Sequence, residues 1–194
     1  MNSTVRTITI DRDVPAVEFR GAMRHLPGGV SVITAGRGDE ITGMTVTSVS
    51  SLSVEPPSLI VSIHREASSW PLIKHHGFFG VNILAADQTA IAERFTGKGG
   101  LKGAERFAGL ESITLASGVP LLAGALAAID CEVEELIERH SHVVVIGRVL
   151  DVRTARRSAA LAYWQGQYVA IDRDEDAVKV GRVGLSGARA PREG

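Results

Sequence analysis

The sequence predicts a mainly β chain whose antiparallel strands close into a barrel, with a few peripheral helices. Three observations carry this expectation. Six or more short runs, apolar or alternating and bounded by Gly, Pro and charged residues, read as strands. Most are joined by short turns, as antiparallel neighbours allow. Helical stretches number only two or three, whereas a doubly wound parallel sheet needs one after nearly every strand. No internal period suggests a repeat architecture.

Taken in order, residues 1–14 read as a loose arm, residues 15–171 as the folded domain, and residues 172–194, where charge and glycine dominate, as a disordered tail. Pro15 to Leu26 reads as a short helix, with Val17, Phe19, Met23 and Leu26 at helical spacing and Pro27-Gly28-Gly29 ending it. Val30 to Ala35 is a β run, Gly36 to Glu40 a turn, and Ile41 to Thr47 the returning strand of a hairpin. Glu55-Pro56-Pro57 breaks the chain. Ser58 to His64 follows as a strand with Leu59, Val61 and Ile63 on one face.

Ser68-Ser69-Trp70-Pro71 starts a short helix with a Ser cap, and Gly77 stops it. Phe78 to Leu84 is another strand. Asp87 is expected to cap a helix to about Phe95, with Ile91, Ala92 and Phe95 as its apolar stripe. Thr96 to Phe107, rich in Gly and Lys, reads as a loop with room for one helical turn. Leu121 to Leu136 and His142 to Val152 form two long strands joined through Glu138 to Ser141. Ala155 to Ala162 reads as helix and Gly166 to Ile171 as a last strand.

With 194 residues the chain is long enough to bury a full core. A formal charge of −1 leaves no electrostatic footprint for nucleic acid or an anionic membrane. The longest apolar runs, such as Val143 to Ile146, fall far short of a membrane span of ~20 residues. The N-terminus lacks the apolar core of a secretion signal, and the single cysteine, Cys131, suits a reducing compartment. A cytoplasmic location is expected.

The stretch that organises the chain runs from Gly43 to Trp70. Between Thr45 and Ser53, six of nine residues are Ser or Thr, with none of the Asp, Lys, Asn or Gly of an ordinary solvated loop. The period-two pattern slips at Thr47-Ser48 and again at Ser50-Ser51, and each slip predicts a bend that frees backbone N–H groups. Such a rim suits a polar ligand with many acceptors, a flavin or nucleotide. Equally, the hydroxyls can bond to their own backbone.

Other constellations are weaker. Gly97-Lys-Gly-Gly-Leu-Lys-Gly103 fails as a dinucleotide fingerprint, because Lys102 stands where the last glycine belongs, and as a P-loop, because Gly99 follows Lys98. The start of the helix after His64 is a better anion site: Ser68 and Ser69 bring hydroxyls and free N–H groups, flanked by Arg65 and Lys74. No Cys pair or Glu-x-x-His completes a metal set around His140 and His142, so no metal is expected. Nucleophilic hydrolysis lacks a G-x-S-x-G, and Cys131 sits in an apolar strand where thiols are inert.

The order of GVSVIT (29–34), GMTVTSVSSLSVEPPSLIVSI (43–63), a Ser-started helix, FGVNIL (79–84), ERF (93–95), SHVVVIGRV (141–149) and GQY (166–168) resembles the flavin reductase-like family. The resemblance spans about residues 16–171. It implies an FMN-binding split barrel of Greek-key type and the reductase component of a two-component flavin-dependent monooxygenase. It further implies a homodimer with flavin, FMN or FAD, across the barrel rim at the interface, and NADH or NADPH as hydride donor. On this resemblance Thr45, Val46, Thr47 and Ser48 meet the flavin ring edge, and Ser50, Ser51 and Ser62 the ribityl chain or phosphate. Ser68 and Ser69, with Arg65 or Lys74, take the phosphate. His142 positions the nicotinamide and Tyr168 borders the pocket. Ser141 stands where many members carry Asp. Arg37, Arg94 and Lys98 are each candidates for a 2′-phosphate, and nothing in the residues chooses between the nucleotides. The alternative on the same fold is a non-catalytic flavin-binding or electron-transfer protein.

Overall fold

Strand burial follows the period of two. In the strand Pro57–His64, Leu59, Val61 and Ile63 are buried while Ile60 and Ser62 are half exposed, as the alternation predicts. The structure, a computed structural model, describes residues 13–155 and 159–172. Most of the expected arm and tail lies outside these residues.

The elements run α1 (Ala16–Met23), β1 (Gly28–Gly29), β2 (Ser31–Arg37), β3 (Glu40–Val46), β4 (Ser50–Val54), β5 (Pro57–His64), α2 (Ser69–His76) and β6 (Phe78–Ile83). A 3-10 turn (Ala86–Gln88) leads into α3 (Thr89–Phe95), and a second (Gly103–Phe107) precedes β7 (Ser112–Ile113) and β8 (Leu121–Leu122). The long hairpin β9 (Ala127–Arg139) and β10 (His142–Thr154) follows, then β11 (Ala160–Trp164) and β12 (Gln167–Ile171).

Seven strands form one antiparallel sheet in the order β3-β2-β6-β9-β10-β5-β4. Its two edges, β3 and β4, are consecutive in the chain and separated only by Thr47, Ser48 and Val49. Four virtual bonds reach roughly 14 Å, whereas the edges of a flat seven-stranded sheet stand about 29 Å apart. The sheet must therefore roll up. Yet β3 and β4 do not pair with each other, so the barrel is split at Thr47–Val49 rather than closed.

One core cluster gathers Ile33, Val61, Ile63, Phe79, Val81, Cys131, Val143 and Val145, joined by Trp70 and Ile73 of α2. A second lies on the other face of β2, where Val30, Val32, Leu84 and Leu161 meet Ala92 and Phe95 of α3 and Phe107. Both faces of β2 are thus covered, which is why residues 31–36 are buried without alternation, Ser31 and Thr34 included. Asn82 ties the layers: its Nδ2 donates to the Val32 carbonyl (2.9 Å) and its Oδ1 accepts from the Leu122 amide (2.7 Å).

Three expectations need correction. The helix expected over Ala155–Ala162 does not form at its end: Ala160 begins β11, which pairs with β12 and with β1, and the stretch 156–158 lies outside the described residues. Pairing partners distant in sequence override a local Ala-rich propensity. Ser68 does not cap α2. Its own backbone is already helical (φ −60°, ψ −21°), and its hydroxyl pairs with Thr42 Oγ1 at 3.1 Å. Asp87 lies inside the 3-10 turn, and the bond closing that start runs from the Ala85 amide to Gln88 Oε1 (2.9 Å). Gly77 does end α2, at φ 72°.

Candidate functional site

The site starts where β3 runs out of a partner. Met44 points to α2, where its sulfur accepts from Ser69 Oγ, whereas Thr45 points to α3 and its Oγ1 donates to the Ala92 carbonyl at 2.6 Å. Past Val46 the chain leaves the ladder, and the amides of Thr47, Ser48 and Val49 donate to no acceptor among the described residues. Three adjacent free amides at a barrel split form a ready acceptor-binding edge. Gly28 makes room for it, since a Cβ there would stand 2.8 Å from Thr47 Cβ.

Beside this edge opens a cavity of about 440 Å³, within the range of small-molecule sites. Thr45, Val46, Thr47 and Tyr168 line it, together with Glu93, Lys98 and Tyr163. Burial, then the Glu93 carboxylate and Tyr163, hold the Tyr168 phenol above its ordinary value. Tyr168 therefore stays a neutral donor at physiological pH.

The rim hydroxyls behave differently from the amides. Thr45, Ser48, Ser50 and Ser53 each donate to a backbone carbonyl: Ala92, Ser62 (2.9 Å), Ser51 (3.3 Å) and Glu55 (3.1 Å). Ser50 and Ser53 thus satisfy their own local backbone, whereas Thr45 and Ser48 satisfy carbonyls of distant segments, and the rim keeps free main-chain N–H groups.

Ser48 links the cavity edge to the outer face of β5. Its Oγ also accepts from the Ser62 amide, and Ser62 shares a face with His64, whose register partner on β10 is His142. The His64 and His142 rings meet edge to face with centroids 4.9 Å apart, and Ser141 Oγ lies 2.9 Å from His142 Nδ1. The Ser141 hydroxyl thus supplies the His142 ring with a polar partner. Arg65 flanks this end, 3.5 Å from Glu138. His142 is exposed and does not line the cavity.

The α2 residues are not brought to the rim. Ser69 is fully buried with its hydroxyl on Met44, which takes it out of reach of a phosphate. Ser68 is exposed beside Thr42, and Lys74 is exposed with its ammonium 5.9 Å from the Trp70 ring. Ser50 and Ser51 are exposed on the β4 edge. Glu93 and Tyr163 were not foreseen as lining residues. Nor was a second cavity of about 640 Å³ at α1, lined by Arg20 and Arg24 and sharing Thr47, Tyr163 and Gly166 with the first. Its one sequence signal is the i, i+4 spacing of the two arginines.

Residues 23–172 match the flavin reductase like domain. The chain belongs to the flavin reductase-like family. An actinorhodin polyketide dimerase of Streptomyces coelicolor is 35% identical over 154 residues, covering 79% of this chain and 85% of that protein. An NADH-dependent FMN reductase, RutF, of Cronobacter sakazakii is 34% identical over 155 residues, covering 80% and 92%. Among solved structures, BorF, the flavin reductase component of a bacterial two-component tryptophan halogenase, superposes with a TM-score of 0.76 at 30% identity, covering 82% of this chain and all of that one. The family's split barrel is the architecture found here. No helix among the described residues is long and apolar enough to cross a membrane.

Proposed function

We propose that this chain is an NAD(P)H:flavin oxidoreductase that moves hydride from NADH or NADPH to FMN or FAD and releases reduced flavin to a partner monooxygenase. The observation that supports this best is the split at Thr47–Val49, where the free amide of Thr47 edges a cavity wide enough for a heteroaromatic ring system and those of Ser48 and Val49 follow it along the split. The flavin fits this donor set, because its ring edge is rich in acceptors and the rim offers main-chain donors, with Glu93 and Lys98 as the charged side chains of the cavity. When bound, flavin supplies the hydride acceptor, so the protein needs neither nucleophile nor strong base.

The chain's own residues then bind and orient. The amides of Thr47 and Ser48 and the phenol of Tyr168 donate toward developing negative charge. Val46 and Tyr163 give the ring an apolar wall. His142 lies on the outer face and holds the nicotinamide, with Ser141 fixing its ring through Nδ1, while Ser62 on the same face is the candidate for the ribityl chain or phosphate. Ser68, Arg65 and Lys74 remain the candidates for the phosphate on solvent-facing positions.

Because His142 and the cavity occupy different surfaces of one protomer, a second copy of this chain is the natural element to bring a histidine face over a rim. We therefore read the working enzyme as a homodimer, acting in the cytoplasm. Stopped-flow mixing of the purified protein with FMN or FAD and each nicotinamide tests the activity. Rapid loss of nicotinamide absorbance is expected with at least one pair; flavin bound without any turnover would overturn the reading.

A further inference from the structure

The cavity at α1 carries chemistry that the flavin rim lacks. Arg20 and Arg24 line it one helical turn apart, and no Asp or Glu is among its lining residues. The ion pairs among the described residues join Arg65 to Glu138 and Arg148 to Glu132, leaving both α1 guanidinium groups without a carboxylate there. Arg24 is also held in place. Its carbonyl accepts from the Gln165 amide at 3.1 Å, the next residue's carbonyl accepts from Trp164 Nε1 at 3.3 Å, and its Nη2 lies 3.1 Å from where a Cβ on Gly166 would stand. The turn between β11 and β12 is thus clamped to the end of α1, and a glycine there leaves the guanidinium its space.

Thr47, Tyr163 and Gly166 line both cavities, so the arginine pocket adjoins the flavin rim. Val17, Met23, Leu26 and Tyr163 supply apolar surface around the two charges. A cationic pair framed by apolar and aromatic groups, adjoining a flat-ring site, matches a pyrophosphate carrying an aromatic base.

We propose that Arg20 and Arg24 form a subsite for an adenosine diphosphate moiety, the part that FAD and NAD(P)H share and FMN lacks. The choice between FAD and nicotinamide as its owner rests on the flavin reductase reading; the binding of ADP itself does not. The test compares the wild-type chain with the double variant Arg20→Ala/Arg24→Ala and with Arg20→Lys/Arg24→Lys, by calorimetric titration with ADP, FMN and FAD and by the KM for NADH with FMN as acceptor. ADP affinity is expected to fall tenfold or more in the alanine variant and to recover in part in the lysine variant, with FMN affinity within twofold of wild type. A matching loss for FAD assigns the subsite to the flavin's tail, whereas a tenfold rise in the NADH KM assigns it to the nicotinamide dinucleotide. ADP, FAD and NADH all behaving as in wild type would overturn the subsite, as would equal losses for FMN and ADP. Failure of the wild type to bind FMN would sink the flavin reading while leaving the ADP titration to decide this one.

Discussion

His142 is held by the Ser141 hydroxyl, the edge-to-face imidazole of His64 and its place at the start of β10, yet it is exposed to solvent. His142→Ala is expected to lower kcat/KM for the nicotinamide about tenfold, the worth of one ~1.4 kcal/mol contact, while flavin affinity stays put. Equal loss of both would show that the residue acts on the fold. Thr47 offers a sharper probe of the rim. Its amide has no partner among the described residues, and the preceding Val46 is already in a strand, so proline at position 47 removes a donor without breaking a ladder bond. Thr47→Pro should retain its melting temperature within a few degrees and lose flavin affinity roughly tenfold. Unchanged affinity would mean that this amide faces water rather than a ligand.

Cys131 belongs to the same scale but to the core. Burial, with Asp130 adding to it, pushes its thiol from 9.0 up to about 12. Between these values the folded chain keeps a proton that the unfolded chain has released. Stability therefore falls as pH rises through that window, by up to ~1.4 kcal/mol per pH unit. Urea titrations between pH 9 and 11 should show this extra slope in the wild type and lose it in Cys131→Ala.

At the scale of elements, the β9–β10 hairpin gives the barrel its wall, and its register shifts between Ile146 and Gly147. A Cβ on Gly147 would come 2.5 Å from Phe79 Cζ, a ring that is fully buried in the first core cluster. Gly147→Ala is thus an overpacking change, expected to cost about 1–3 kcal/mol in chemical denaturation. An effect below the error of the titration would mean that Phe79 moves aside freely. Elements also explain what was legible. The alternation of Leu59, Val61 and Ile63 survives in the structure because one face of β5 is core and the other is not. Ala155–Ala162 misled because strand pairing with residues near 28 and 171 is invisible to a local window.

For the whole molecule, α1 buries no residue, and its Val17, Phe19 and Met23, with Leu26 just beyond its end, are each more than two-fifths exposed. Such a surface suits contact with a second copy, and light scattering should report a dimer. If each site takes its rim from one protomer and its histidine from the other, co-refolding equal amounts of Thr47→Pro and His142→Ala restores activity. Half of the dimers are then mixed with one intact site each, so about a quarter of the wild-type rate is expected. No restoration would place the whole site within one protomer.

The chemistry of the site was legible in residue types: the dense hydroxyls of 45–53, their broken period and the following strand all mark the split. Which donors are free was not, because a hydroxyl and an amide look alike until their partners are known, and Ala92, Ser62 and Met44 come from remote segments. The same holds for Ser69, a plausible anion ligand that folding turns inward, and for Arg20 and Arg24, which gain meaning only when the β11–β12 turn closes over them. Local order, strand phase and turn chemistry are set by neighbours a few residues apart, so the chain alone determined them. Burial, pairing and the joining of two cavities depend on contacts between distant residues, and only the rolled sheet decides those.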